Sequence, residues 1–196
     1  MSGDSLPSLL KFVDLPSVFA VSVLEKFLPV LPSYVLFPTI GMAATSTEDV
    51  VARCLVATFG SVAGAAAWYL FGSAVGPSRT LALVRRYGSW IFLSPKLYEE
   101  LAGSYRRRAF VVTLLGQLVP TVRIYQALPA GALRLPMLPF LLATAVGAFC
   151  WISLLTSAGH LLRQSGWDAS QIGLVMVLLI LATELLAVVI ALGRRN

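Results

Sequence analysis

The chain has 196 residues and a formal charge of +6, with 58% hydrophobic and only 12% charged residues, and its mean hydropathy is +0.83. Soluble domains average about 45–50% apolar and roughly 25% charged residues, so a water-soluble fold of this size would lack the polar surface to cover itself. The positive charge does not indicate nucleic acid, because no basic stretch interleaves with a base-stacking motif; membrane topology explains it better.

At the start, residues 1–15 carry Asp4, Lys11 and Asp14, with no basic region ahead of a short apolar core, so no cleavable signal peptide is expected. Residues 16–24 are apolar but short. They form either the end of a weaker span beginning near Leu6 or an interfacial helix. Residues 25–42 are apolar but interrupted by Pro29, Pro32, Pro38 and Gly41. Proline removes a backbone donor and clashes with the preceding turn, so this stretch is not one straight helix. Residues 50–72 are long and apolar enough to cross a bilayer, which takes about 20 residues.

The basic stretch 78–108 follows, with Arg79, Arg85, Arg86, Lys96, Arg106, Arg107 and Arg108 against Glu99 and Glu100. Ser94-Pro95 reads as an N-cap followed by proline at the first helical position. It opens an interfacial helix through Leu97, Tyr98, Leu101 and Tyr105. The excess of basic residues places this connector in the cytoplasm, and Arg194 and Arg195 fall on the same side. Residues 111–131 repeat the earlier interruption with Gly116, Pro120, Pro129 and Gly131. Two further spans are expected at 137–162 and 172–192.

The interrupted stretches match each other. Pro29 and Pro38 are nine positions apart, as are Pro120 and Pro129, and each stretch is followed by a span carrying Gly-x-x-x-Trp, Gly64 with Trp68 and Gly147 with Trp151. Backbone left unpaired at membrane depth must be buried in protein or line a wet cavity, and paired, interrupted apolar segments in corresponding places point to an inverted-repeat transporter. The expected fold is an all-α integral membrane protein. It has two re-entrant helical hairpins in an inverted repeat, about three to four transmembrane helices and a cytoplasmic interfacial helix. Its parts are a first hairpin-plus-span half (24–76), the connector (77–109), a second half (110–162) and a last transmembrane helix (172–192). Hairpin one opens outward and hairpin two inward.

Ionisable groups inside apolar sequence are functional hypotheses by default. Glu25 opens the first hairpin and Arg123 lies in the second. If the hairpins meet tip to tip, these charges share a cavity, where a guanidinium's planar fork of donors suits phosphate oxygens. Glu25 would balance Arg123 in the empty site and is a proton site; the alternative is a buried structural ion pair. Lys26, adjacent to Glu25, is expected to point elsewhere and snorkel to the outer interface. Glu184, in the final span, is either a hydrogen-bonding group or a second proton site. His160 is expected at an interface. Cys54 and Cys150 read as small buried hydrophobes. Gly60 with Gly64, and Gly72 with Gly76, allow close helix approach, which says packing rather than function and fits packing within one chain or a homo-oligomer.

Glu25-Lys26-Phe27-Leu28-Pro29-Val30-Leu31-Pro32-Ser33, the glycine-spaced stretch from Gly60 to Gly76 with Tyr69, and Gly116-Gln117-Leu118-Val119-Pro120-Thr121-Val122-Arg123 followed by Ala130-Gly131 resemble the DedA family, also called the VTT or SNARE-associated Golgi protein family, over residues 24–162. The resemblance implies two re-entrant hairpins and lipid transport or scrambling in bacteria, of polyprenyl phosphate or phospholipid, often with proton coupling. By position, Glu25 matches the family's first acidic residue and Arg123 its second arginine. Two departures stand out. Tyr34 stands where bacterial members often have an acid, and Gln117 where they often have an arginine. Losing both keeps the site's charge balance, whereas losing either alone would leave a buried charge unpaired at about 3–5 kcal/mol. Tyr34 and Gln117 are therefore expected to hydrogen-bond in place of an ion pair.

The expected function is a flippase of the bacterial inner membrane whose substrate-binding residues are Arg123, Glu25, Tyr34 and Gln117, with membrane lipids as partners and no cofactor or metal. The alternatives are an ion- or proton-coupled small-solute transporter and a non-transporting assembly protein. An enzyme is not expected, because one histidine and two scattered cysteines offer no nucleophile–base or metal-ligand set.

Overall fold

The computed structural model describes residues 14–28, 33–87, 95–117, 120–164 and 178. The expected helix 172–192 with Glu184, the prolines Pro29 and Pro32, the Ser94 cap and the segment before residue 14 lie outside the described residues. Among the described residues the chain is helical throughout, without strands.

The first helix, α1 (Leu15–Leu24), begins where the Asp14 side chain accepts a hydrogen bond from the Ser17 amide and a proline sits in the first turn, a cap that satisfies an otherwise orphaned donor. It ends in a tight turn, with the Lys26 amide donating to Val23 O at 3.1 Å and the Phe27 amide to Leu24 O at 2.9 Å. The next helix, α2 (Ser33–Ala43), contains Pro38. Then comes α3 (Thr47–Val75), which Ser46 caps at the Asp49 amide, with Glu48 and Asp49 in its first turn and Gly76 at its end with φ 78. Carboxylates suit the positive end of a helix dipole, and glycine takes that φ without strain.

After Gly76 the short helix α4 (Pro77–Tyr87) carries Arg85 and Arg86 in its last turn. The helix α5 (Pro95–Gly116) joins two pieces that the sequence analysis treats separately. The interfacial helix and the first arm of the second interrupted stretch are one continuous element, and the 109/110 boundary falls inside it. No proline occurs between Pro95 and Gly116, and most residues there are good helix formers, so nothing stops the helix. The remaining stretch is broken into α6 (Pro120–Tyr125) and α7 (Ala127–Ala132), before the long α8 (Met137–Gln164).

Helices α3 and α8 are long and apolar enough to cross a membrane, with mean hydropathies of 1.7 and 2.0. Their outward faces show Phe59, Leu70, Leu138 and Leu154 largely uncovered, a surface that hydrocarbon tolerates and water does not. Cys54 is buried, but Cys150 is exposed and lines an apolar groove of about 360 Å³ with Leu55, Phe59 and Phe149. The expectation that both cysteines are buried fails for Cys150, because a lipid-facing surface accepts a small thiol as readily as a core does.

The short helices pack reciprocally on the long ones: α2 lies on α8 and α7 on α3, while α1 lies on α3 and α5 on α8. Glycines make the close approaches possible. A Cβ on Gly41 would run into Thr156 O, and one on Gly159 into Pro38 O; likewise a Cβ on Gly131 would meet Tyr69 O and one on Gly72 Leu128 O. The same contacts are thus made once by each half of the chain on the other. Three buried clusters fill the remaining space: one around Phe37 and Ile152, one around Val84, Tyr98 and Leu128, and one around Tyr69 and Phe140, whose rings stack at 5.4 Å.

Candidate functional site

The interior where α1, α2, α6 and α8 converge holds three charged side chains. Glu25, Lys26 and Arg123 are only 1%, 2% and 4% exposed. Arg123 Nη2 donates to Glu25 Oε1 across 98 residues of sequence, so the end of α1 and the broken segment α6 are locked together by an ion pair. The guanidinium lies between two rings, Phe37 of α2 at 5.9 Å and Trp151 of α8 at 5.5 Å, close enough for cation–π attraction. Each half of the chain therefore supplies one member of this pair and one aromatic face.

Lys26 contradicts its expected position. Its side chain is buried, with Nζ 4.0 Å from Glu25 Oε2, and does not reach an interface. Neighbours in a helix diverge in direction, but Lys26 lies past the last turn of α1, in the tight turn, where that rule does not apply. Its stem runs over Gly64 of α3, where a Cβ would stand 2.9 Å from Lys26 Cβ and Cγ. Trp68, one turn on, donates from Nε1 to Lys26 O at 2.8 Å and stacks on Phe27 at 5.5 Å. In the sequence Gly64 and Trp68 stood out as one arm of a repeated Gly-x-x-x-Trp spacing. That spacing puts glycine and tryptophan on one helix face, and in both halves this face is what the site rests on.

Gln117 is buried at the end of α5. Its stem crosses Gly147 of α8, where a Cβ would stand 2.6 Å from Gln117 Cβ, much as Lys26 crosses Gly64. Its Nε2 has no hydrogen-bond partner among the described residues. Tyr34 is half-buried and packs against the apolar cluster around Phe37. Among the described residues no hydrogen bond joins Tyr34 to Gln117, so the expected substitute for an ion pair does not form. Tyr34 is on α2, whose buried face is apolar, and there its ring serves as packing.

The described donors and acceptors of the site are incompletely used. Lys26 Nζ, Arg123 Nε, Gln117 Nε2 and Glu25 Oε2 are buried without hydrogen-bond partners among the described residues. Other buried polar atoms, among them Ser61 Oγ, Gln126 Nε2 and Thr144 Oγ1, also lack partners among the described residues; what sets this group apart is that Glu25, Lys26 and Arg123 are charged and buried together. Elsewhere, His160 is half-buried near the end of α8 with its Nε2 2.9 Å from Gln164, remote in sequence and in contacts from the charged cluster. Arg163, unremarked in the sequence analysis, reaches across to Met42 O at 2.6 Å and Ala44 O at 3.4 Å, satisfying carbonyls at the end of α2.

Residues 31–161 match the VTT domain, a stretch that includes Phe37, Gly64, Trp68, Gln117, Arg123 and Trp151; Glu25 and Lys26 lie just ahead of it. The chain is 23% identical over 150 residues to undecaprenyl phosphate transporter A of Staphylococcus aureus (strain NCTC 8325 / PS 47), covering 76% of this chain and 74% of that protein. It is 27% identical over 148 residues to an alkaline phosphatase-like protein of Lactococcus lactis subsp. cremoris (strain MG1363), covering 74% and 69%. No solved structure matches it significantly. With a domain match over most of its length and two apolar helices flanked by broken ones, the chain belongs to the VTT-domain, or DedA, family of membrane proteins.

Proposed function

We propose that the protein is a flippase that carries the phosphate headgroup of a membrane lipid, polyprenyl phosphate or phospholipid, between leaflets. The headgroup passes a site between two re-entrant hairpins while the tail stays in the bilayer. The observation that carries this reading is the buried Glu25–Arg123 pair joining the two interrupted segments. A guanidinium at membrane depth is costly unless paired, and its fork matches phosphate as well as carboxylate. Glu25 then occupies the fork in the empty protein, and an incoming phosphate takes the carboxylate's place.

The reciprocal packing of α2 on α8 and α7 on α3 supports an inverted repeat. In such folds the site sits at the repeat interface, and one half rocks against the other to expose it to each side in turn. The basic α4 and the start of α5 then lie in the cytoplasm, where positive residues are favoured. Hairpin one opens outward, hairpin two opens inward, and the membrane is the bacterial cytoplasmic one. The name of the Staphylococcus relative, an undecaprenyl phosphate transporter, points to the same substrate class.

The test is reconstitution in vesicles with labelled polyprenyl phosphate and labelled phospholipid. The expected result is leaflet exchange of a phosphate lipid that Arg123→Ala abolishes. Exchange unchanged by Arg123→Ala would overturn the proposed site. Release of inorganic phosphate without exchange would replace the transporter with an enzyme.

A further inference from the structure

The Glu25–Arg123 pair would be neutral by itself, but the site is not. Counted as formal charges among the described residues, one buried carboxylate faces two buried cations, because Lys26 Nζ lies 4.0 Å from Glu25 Oε2 while Arg123 holds Oε1. Burying a cation costs several kcal/mol, and the second one recovers less of that cost, because it shares Glu25 with Arg123 and is repelled by it. Lys26 is nevertheless held in place from three directions. Gly64 leaves room for its stem, Trp68 Nε1 binds its carbonyl, and Phe27 next to it stacks on the same indole.

Its ammonium has no hydrogen-bond partner among the described residues beyond the 4.0 Å ion pair with Glu25 Oε2. Arg123 Nε is a second buried donor without one. A site with surplus positive charge and unused donors is completed by an anion rich in acceptor oxygens.

We infer that Lys26 is the second phosphate-binding cation of this site and that it sets the site's preference for headgroups of net negative charge over zwitterionic ones. A singly charged phosphate brings the formal charge of the cluster to zero with Glu25 still present, and a phosphate monoester, at about −1.5 to −2, more than cancels the surplus. A zwitterionic headgroup adds no net charge, so the surplus stays, and it brings an ammonium that Lys26 repels. This inference rests on the proposed transport of a lipid phosphate and adds the residue that selects among such lipids.

The test uses the full-length protein in detergent, with tryptophan fluorescence as the readout because Trp68 and Trp151 border the site. The probes are farnesyl phosphate, lysophosphatidylethanolamine and inorganic phosphate, applied to wild type, Lys26→Met and Lys26→Arg. A charge-assisted hydrogen bond corresponds to about tenfold or more in affinity. Lys26→Met is therefore expected to weaken farnesyl phosphate binding about tenfold or more, leave the zwitterionic probe unaffected, and keep or raise the thermal midpoint. Lys26→Arg retains the preference.

Wild-type binding of farnesyl phosphate that Lys26→Met leaves intact would overturn the role of Lys26 and spare the transport proposal. A lowered midpoint with an unchanged ratio of the two lipid affinities would make Lys26 a structural cation and overturn it too. Failure of wild type to bind farnesyl phosphate would count against the transport proposal itself. Inorganic phosphate competing as strongly as farnesyl phosphate would keep Lys26 as a phosphate ligand and overturn the lipid as its source.

Discussion

Neutralising the three buried charges one at a time should have unequal consequences, and the inequality follows from the count of charges. Glu25→Gln removes the cluster's sole carboxylate among the described residues and leaves Arg123 and Lys26 facing each other. Removing one member of a buried pair costs about 3–5 kcal/mol, chiefly through the charge left behind. Arg123→Met removes the partner of Oε1 but leaves Lys26 Nζ at 4.0 Å from Oε2. At that separation the attraction is about 4 kcal/mol for an effective dielectric constant of about 20. Lys26 therefore offsets most of the loss, and Arg123→Met should cost under about 2 kcal/mol. Replacing all three residues (Glu25→Gln, Lys26→Met and Arg123→Met) leaves no buried charge, and such replacements are often neutral or stabilising. The triple variant should unfold at or above the wild-type midpoint, despite carrying every damaging change. Thermal unfolding in detergent, followed by fluorescence of the tryptophans, ranks these variants directly. An Arg123→Met variant as unstable as Glu25→Gln, or a triple variant below Glu25→Gln, would refute this account of the cluster's charges.

Other consequences concern the scaffold. Gly41→Ala places a methyl against Thr156 O and must push α2 off α8, at a cost of about 1–3 kcal/mol or more, whereas Gly103→Ala meets nothing within 4 Å and should gain up to about 1 kcal/mol from helix propensity; unfolding midpoints of the two variants check both signs. Arg163→Ala strips the guanidinium from Met42 O and Ala44 O and should lower stability by about 1.5–3 kcal/mol, with faster amide exchange at the end of α2 in deuterium-exchange measurements. Arg134 sits at φ 53, just past α7, where its amide closes onto Gly131 O at 2.8 Å and that of Leu135 onto Ala130 O at 3.1 Å. Helices commonly end this way on glycine, so Arg134→Gly should raise stability by about 0.5–1 kcal/mol, read as a higher unfolding midpoint.

What the sequence by itself determined is local in origin. A run of about 20 apolar residues is long enough to span hydrocarbon wherever it occurs, and so α3 and α8 were legible within a few residues. Proline acts on its own turn, and so the new helix that opens at Pro120 was legible too, although α2 and α7 run through Pro38 and Pro129. The continuity of α5 (Pro95–Gly116) was not legible at the connector, since a change in composition from basic to apolar at residue 109 is not a helix terminator. The candidacy of Glu25 and Arg123 came from their cost at membrane depth, a property of each residue alone. Their meeting did not, because it depends on chain segments 98 residues apart being brought together by the packing of four helices.

Lys26 marks the boundary most clearly. Its identity and position suggested an outward-pointing side chain, which is sound for a helix. The tertiary structure ends α1 at Leu24, two residues earlier, turns the chain, and lays the lysine stem over Gly64, so the ammonium enters the protein. Tyr34 and Gln117 show the same dependence, for their partnership required two helix faces to meet and those faces point to different neighbours. Sequence sets what each residue would lose or gain by burial; only the packed helices decide which charges are buried together, because that choice is made by backbone close approach at glycines far apart in the chain.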